Sequence, residues 1–310
     1  MQNEAGILHS PFIIDSSMSA QIPSDPRPAS TVVVLRDSSA GPEVFMVRRH
    51  ERTVFMGGAH VFPGGRVDAV DREGDHAWCD GVSHATRQLD ALAPSEAVAY
   101  HVAATRELFE EAGVLLARDA AGRFVSLARA ADHARFKHDR EEVHAGRATL
   151  RTVVDRERLR LALDTLILFA HWVTPPIDTR QFDTRFFMTR IPPDQTPAHD
   201  ETETTHSTWI TPAEAMRQSH AGEIVLPPPT WTTLRELEPF RTVEEALAWA
   251  GTRRVTRRMP KVLEHEGRRI LVLPGDPLHP DPAGPGDEDA PAETRFAFVD
   301  RRWRAERPRT

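Results

Sequence analysis

The nine residues from Arg106 to Val114, RELFEEAGV, place three carboxylates, Glu107, Glu110 and Glu111, three and four positions apart. In a helix such positions share a face, so the three side chains project together. Like charges this close repel, and the arrangement is costly unless a cation sits among them. Hard divalent ions such as Mg²⁺ or Mn²⁺ favour carboxylate oxygens of this kind. The same spacing also describes an acidic helix face turned to water. Upstream, the stretch FPGGRVDAVD supplies a turn built on Pro63, Gly64 and Gly65, then an acidic residue, Asp71, six positions after the second glycine. A phosphate-handling turn of this type is expected to run straight into a helix of metal-binding carboxylates. Here the two lie apart: Asp71 and Arg106 are separated by 35 positions.

Together these segments resemble the Nudix hydrolases, whose box reads G, five residues, E, seven residues, REUXEEXGU, with U a bulky apolar residue. The second half matches at every position from Arg106 to Val114; the first is matched by Gly65, five residues and Asp71, with Asp in place of Glu. The spacing departs from the ordinary box, with 35 positions from Asp71 to Arg106 instead of 8, so about 27 residues are inserted where added length costs little entropy. A box split in this way resembles the branch that cleaves coenzyme A and its acyl esters. That branch carries a strand-end Arg-Ser, a further Arg, then G, three residues and FPGG. Arg48, Arg49 and Gly58 to Gly65 fall in register, while His50 stands for the Ser and Val54 for the later Arg, with Arg52 nearby. A strand-end arginine beside a metal site suits a phosphate, because the guanidinium fork pairs bidentately with its oxygens. Side chains alternate across a strand, so at most one of Arg48 and Arg49 faces such a site.

The resemblance implies an α/β fold, the Nudix α/β/α sandwich of a mixed sheet with flanking helices. It implies Mg²⁺ or Mn²⁺ held by Glu107, Glu110, Glu111 and the Gly64 carbonyl, with Arg106 orienting the carboxylates. Glu107 or Glu203, the latter six residues before Trp209, is the candidate base, with Glu201 behind it. Arg48, Arg49 and Gly65 are candidate substrate contacts. His60 is another, with a satisfied structural histidine as its alternative. The implied activity is metal-dependent hydrolysis of coenzyme A or acyl-coenzyme A to 3′,5′-ADP and (acyl-)4′-phosphopantetheine. Two alternatives stand beside it: a Nudix pyrophosphatase for another nucleoside diphosphate derivative such as ADP-ribose or NADH, and a Nudix-fold ligand sensor without catalysis. Sensors usually lose box glutamates, and all three are present here.

The elements that must position these residues are legible in outline. Residues 1–30 read as an N-terminal arm, and residues 31–250 as the hydrolase domain. TVVVLRD and VFMVRR, separated by the turn cluster DSSAGPE, form a hairpin, and AHVF leads into the Pro-Gly-Gly turn. No sustained period marks the insertion, about residues 72–93. PSEAVAYHVAATRELFEEAG carries a strong helix pattern with Pro94 near its start and Gly113 as its stop. A charged helical region follows from about Ser126 to Leu159, then strands ending at prolines. THSTWITPAEAMRQ reads as strand, turn and helix, and VEEALAWA as a helix. Residues 251–310 form a C-terminal extension with strand candidates in RRILVLPGD and RFAFVDRRWR, separated by a Pro/Asp-rich loop.

At 310 residues and 40% apolar content the chain can bury a sizeable core. No long apolar run or basic leader is present, so neither membrane insertion nor secretion is expected. The single cysteine, Cys79, fits a reducing compartment, and the tail RPRT lacks a Ser-Lys-Leu signal, so a cytoplasmic location is expected. A net charge of −7 argues against nucleic acid as the main partner while allowing a small anionic diphosphate bound through divalent cations. Assembly as a homo-oligomer is compatible with the sequence.

Overall fold

The computed structural model describes residues 25–51, 57–176, 180–200, 204–282, 291–299 and 302–308. Its centre is a mixed sheet. Strand β1 (Arg27–Ser38) turns through Asp37↔Pro42 and Ser38↔Gly41 into β2 (Gly41–Arg49), followed by the short β3 (His60–Val61) and β4 (Gly64–Arg66). The hairpin has the expected strands, and β1 begins at Arg27, inside the span expected as an arm. The reason is pairing: Ala29, Ser30 and Thr31 hydrogen-bond in register with Arg66, Gly65 and Gly64 of the Pro-Gly-Gly turn.

The inserted segment is ordered despite its missing period. A 3₁₀ turn at Ala69–Arg72 leads to β5 (Cys79–Asp80) and helix α1 (Val82–Gln88). Helix α2 (Pro94–Ala112) then runs as the sequence pattern requires, with Pro94 in its first turn and Gly113 ending it in the left-handed region. After β6 (Ala117–Arg118) the charged region divides into α3 (Ala130–His144) and α4 (Leu150–Glu157), and β7 (Arg160–Ala162) pairs with β5 and β6 in a small sheet. Trp78 and Ala85 of the insertion pack with Val98, Val102 and Phe109 of α2 and with Phe136 and Val153 in one apolar cluster. The insertion therefore covers a flank of the box helix.

Strands β8 (Ile167–Val173), β9 (Phe182–Arg190) and β10 (Thr204–Ile210) complete the main sheet with β11 (Arg257–Arg258), in the order β10-β2-β1-β9-β8-β11. The β1–β9 pair is parallel. Both faces of β1 are buried: Val32 and Val34 pack toward α2, Val33 and Leu35 toward the other side. That other side holds α6 (Pro228–Leu237) and α7 (Val243–Thr252), preceded by α5 (Pro212–Ala221). The result is the expected sandwich of a mixed sheet between helices. Helix α6 was not foreseen, because PPPTWTT masks a helix whose two leading prolines occupy positions that lose no hydrogen bond. The extension folds as an antiparallel meander of β12 (Lys261–His265), β13 (Arg268–Val272), β14 (Arg295–Val299) and β15 (Arg302–Glu306). Its Leu271, Leu273, Phe296 and Trp303 join the apolar cluster of α6 and α7. No helix among the described residues is long and apolar enough to cross a membrane.

Candidate active site

The split box closes in space. Asp71, 2% exposed, accepts two hydrogen bonds from Arg106, at 2.8 Å from Nε and 3.0 Å from Nη2. Asp is therefore long enough where the family pattern has Glu. One position on, Arg72 makes a second two-pronged pair with Glu96 in the first turn of α2, at 2.9 and 2.8 Å. The two pairs tie the start of the insertion to both halves of the helix that follows it, which is how the intervening residues are accommodated without moving the turn away.

Arg106 also donates from Nη1 to Glu107 at 2.8 Å and Glu110 at 3.0 Å, and from Nη2 to the Arg66 carbonyl at 2.8 Å. Glu111 points to the turn instead, accepting the Gly64 amide at 2.9 Å. The repulsion expected among three carboxylates is thus already eased by a guanidinium and a backbone amide, so the spacing by itself does not demand a metal. The turn is pressed so closely that only glycine fits. A Cβ at Gly65 would stand 2.4 Å from Glu107 Oε1, and one at Gly64 would stand 2.4 Å from the Ser30 carbonyl.

Burial pushes the Glu107 carboxyl up to about 7 despite the pull of Arg106, and it raises Glu110 in the same way. Among the described residues no three His, Cys, Asp or Glu side chains converge as a ready-made cation cage. The donors nevertheless fit a hard divalent ion: they are carboxylate oxygens lining one cavity, and a cation beside them would favour their charged forms.

That cavity has a volume of about 870 Å³. Gly64, Gly65, Glu107, Glu110 and Glu111 line it, and so does Arg49. Arg48 points elsewhere and pairs with Glu51 at 2.8 Å, so the strand divides the two arginines as alternation requires. His60 sits opposite Arg48 on the neighbouring strand, outside the lining; burial pushes its imidazole down to about 4. Its Nδ1 is buried without a hydrogen-bond partner among the described residues. Glu201, Glu203, Arg52 and Val54 lie outside the described residues.

The cavity also gathers residues that no local motif marked. Arg27, Arg66 and Arg180 add positive charge to its wall, and His144, at the end of α3, places Nδ1 3.9 Å from Glu110 Oε2. The far wall is apolar, with Trp172, Phe186, Leu271 and Trp303. Their approach depends on the pairing of β8 with β9 and on the packing of the separate C-terminal meander against them, which spacing in the chain cannot reveal. Cys79 is buried and its thiol is pushed up to about 12, which leaves it unreactive.

A model of the NUDT19 Nudix domain matches residues 81–237, half of the chain. The chain belongs to this Nudix family. The match begins inside the insertion and takes in α1, α2 and the elements through α6. The Nudix hydrolase is 29% identical over 307 residues to the human protein named acyl-coenzyme A diphosphatase NUDT19, covering 83% of this chain and 75% of that one. It is 27% identical to the Xenopus laevis protein of the same name, covering 79% of this chain and 73% of that one. Among solved structures, a Nudix hydrolase from Alicyclobacillus acidocaldarius superposes with a TM-score of 0.59 at 26% identity, covering 73% of this chain and 96% of the other.

Proposed function

We propose that this Nudix hydrolase cleaves the diphosphate of coenzyme A and acyl-coenzyme A, releasing 3′,5′-ADP and (acyl-)4′-phosphopantetheine. The observation that carries the reading is one continuous cavity lined by the box carboxylates, by Arg27, Arg49, Arg66 and Arg180, and by an apolar wall. A nucleotide diphosphate joined to a long, partly apolar arm has the chemistry to meet all three. The printed names of the human and Xenopus relatives point the same way.

In this reading Glu107, Glu110, Glu111 and the Gly64 carbonyl would hold Mg²⁺ or Mn²⁺, and the ion would supply charge neutralisation at the diphosphate and a more acidic water. Arg106 keeps Glu107 and Glu110 on the cavity side of α2 and is itself fixed by Asp71. Arg49, at the end of β2, pairs with a phosphate of the substrate through its guanidinium fork. Glu107, which lines the cavity beside the Pro-Gly-Gly turn, is the first candidate to take the proton of the attacking water. Glu203 is the second candidate for that role. In-line displacement at phosphorus then breaks the P–O bond of the anhydride.

The test is incubation with Mg²⁺ and, separately, coenzyme A, acetyl-coenzyme A, ADP-ribose and NADH, with products identified by mass. Release of 3′,5′-ADP from the coenzyme A substrates is the expected result. Turnover of ADP-ribose or NADH alone would reassign the substrate, and no turnover of any compound would favour a sensor.

A further inference from the structure

The C-terminal meander reaches the cavity although nothing in the split box requires it. Pro260, just before β12, Leu271 of β13 and Trp303 of β15 all line the lumen. They share it with Trp172 of β8 and Phe186 of β9. Leu271, Trp303, Trp172 and Phe186 belong to one apolar cluster, and that cluster shares no residue with the one in which α2 packs. The carboxylates and the apolar wall therefore come from opposite faces of the central sheet, and the cavity is open to both.

This wall is fixed in place. Phe296 of β14 meets Trp231 of α6 edge-on at 5.6 Å between ring centres. Arg302 donates to the Gly222 carbonyl at the end of α5 at 2.6 Å, and the buried Asp276 accepts two hydrogen bonds from Arg295, at 2.9 and 3.2 Å. A wall held by such contacts selects by shape and does not simply yield to its ligand. The chemistry of the lining separates two parts of the substrate. The pantetheine arm carries amides, which need polar partners, and Thr174, Thr184 and Thr230 lie in the lining to provide them. A fatty acyl chain has no polar group and needs a surface such as Leu271 and Trp303 present.

We infer that the C-terminal meander is the selectivity wall for the acyl chain, with Leu271 and Trp303 setting the chain length that is accepted. The inference rests on the coenzyme A reading above and goes further by assigning the extension a task. Each methylene buried against such a wall is worth about fourfold in affinity.

The experiment compares kcat/KM for coenzyme A and its acetyl, dodecanoyl and hexadecanoyl esters in the wild-type protein, Leu271→Trp and Trp303→Leu, with thermal midpoints recorded for each. In the wild type, kcat/KM rises from the acetyl to the dodecanoyl ester. Leu271→Trp fills the lumen and lowers the dodecanoyl-to-acetyl ratio about tenfold or more. Trp303→Leu opens it and raises the hexadecanoyl-to-dodecanoyl ratio several-fold, a change in the opposite sense that loss of stability cannot produce. A wild-type profile flat with chain length overturns the inference even if a variant fails to fold. So do ratios unmoved in folded variants, or moved in the same direction by both. Failure of the wild type to release 3′,5′-ADP from any ester overturns the proposed activity and this inference together; release of 3′,5′-ADP with unmoved ratios overturns the inference alone.

Discussion

Around Arg106 the cavity is built from directional contacts between charges: Asp71 on two of its nitrogens, Glu107 and Glu110 on a third, and a turn so near that Gly65 has no room for a Cβ. Around Trp172 and Trp303 it is built from apolar side chains of two separate sheets that share one apolar cluster. The two ends should fail differently. A buried ionic network is damaged by losing any one partner, because the remaining charge is left uncompensated. An apolar wall tolerates changes of shape and answers with a change of preference. Chemistry and selectivity are thus assigned to separable parts of one cavity.

The largest break in this comparison is expected at Asp71. Asp71→Ala leaves a guanidinium that is 7% exposed without its two-pronged partner, and should cost about 3–5 kcal/mol of stability in urea denaturation. Asp71→Glu, which restores the family's residue, should recover most of it. Next is Glu110→Gln, which keeps the shape and removes the charge; the rate of 3′,5′-ADP release should fall about 10²- to 10³-fold, with a smaller loss of stability than in Asp71→Ala because Arg106 keeps both Asp71 and Glu107.

A pH measurement probes the side of α2 away from the carboxylates. His101 is fully buried, packs tilted against Phe187 with ring centres 4.5 Å apart, accepts at Nε2 from the Gln88 amide nitrogen at 3.1 Å and donates from Nδ1 to the Ala97 carbonyl at 2.8 Å. Burial pushes it down to about 4. The unfolded chain binds a proton at this histidine near pH 6.5 and the folded protein only near 4, so stability falls as pH drops through that window. The loss should approach roughly 3 kcal/mol by pH 4 in the wild type and be visibly smaller in His101→Met, as followed by denaturant titration at several pH values. Equal slopes would remove His101 from the account. The smallest effect is expected at Gly65→Ala, whose added Cβ displaces Glu107: activity should fall about ten- to a hundredfold, most of it in kcat.

The same contrast explains what could be read from the chain. The charged end was legible because its residues are fixed by short spacings: RELFEEAG specifies a helix face, and FPGG a turn that must approach it. The interruption between them was visible as a number, but its structure was not. Gln88 of α1 finds partners at His84, His101, the Leu166 carbonyl and the Leu168 amide, and His84 bonds the Leu166 carbonyl, so that helix is stabilised by residues up to 82 positions away more than by its own period. The strand start at Arg27 was hidden likewise, since only pairing with Gly64–Arg66 makes those residues a strand. The apolar end was not legible at all. The tail strands were visible as candidates, yet nothing in RRILVLPGD or RFAFVDRRWR says that Leu271 and Trp303 meet Trp172. That meeting depends on which sheet face the meander covers, and many distant contacts decide it together.

Whether the carboxylate end of the cavity is a metal-dependent hydrolytic centre is decided by release of 3′,5′-ADP from coenzyme A by EDTA-treated protein as Mn²⁺ is restored. The account predicts no release without the ion, a saturable rise as it is added, and a flat response in Glu110→Gln. Full release in EDTA, or an undiminished Mn²⁺ response in Glu110→Gln, would contradict it.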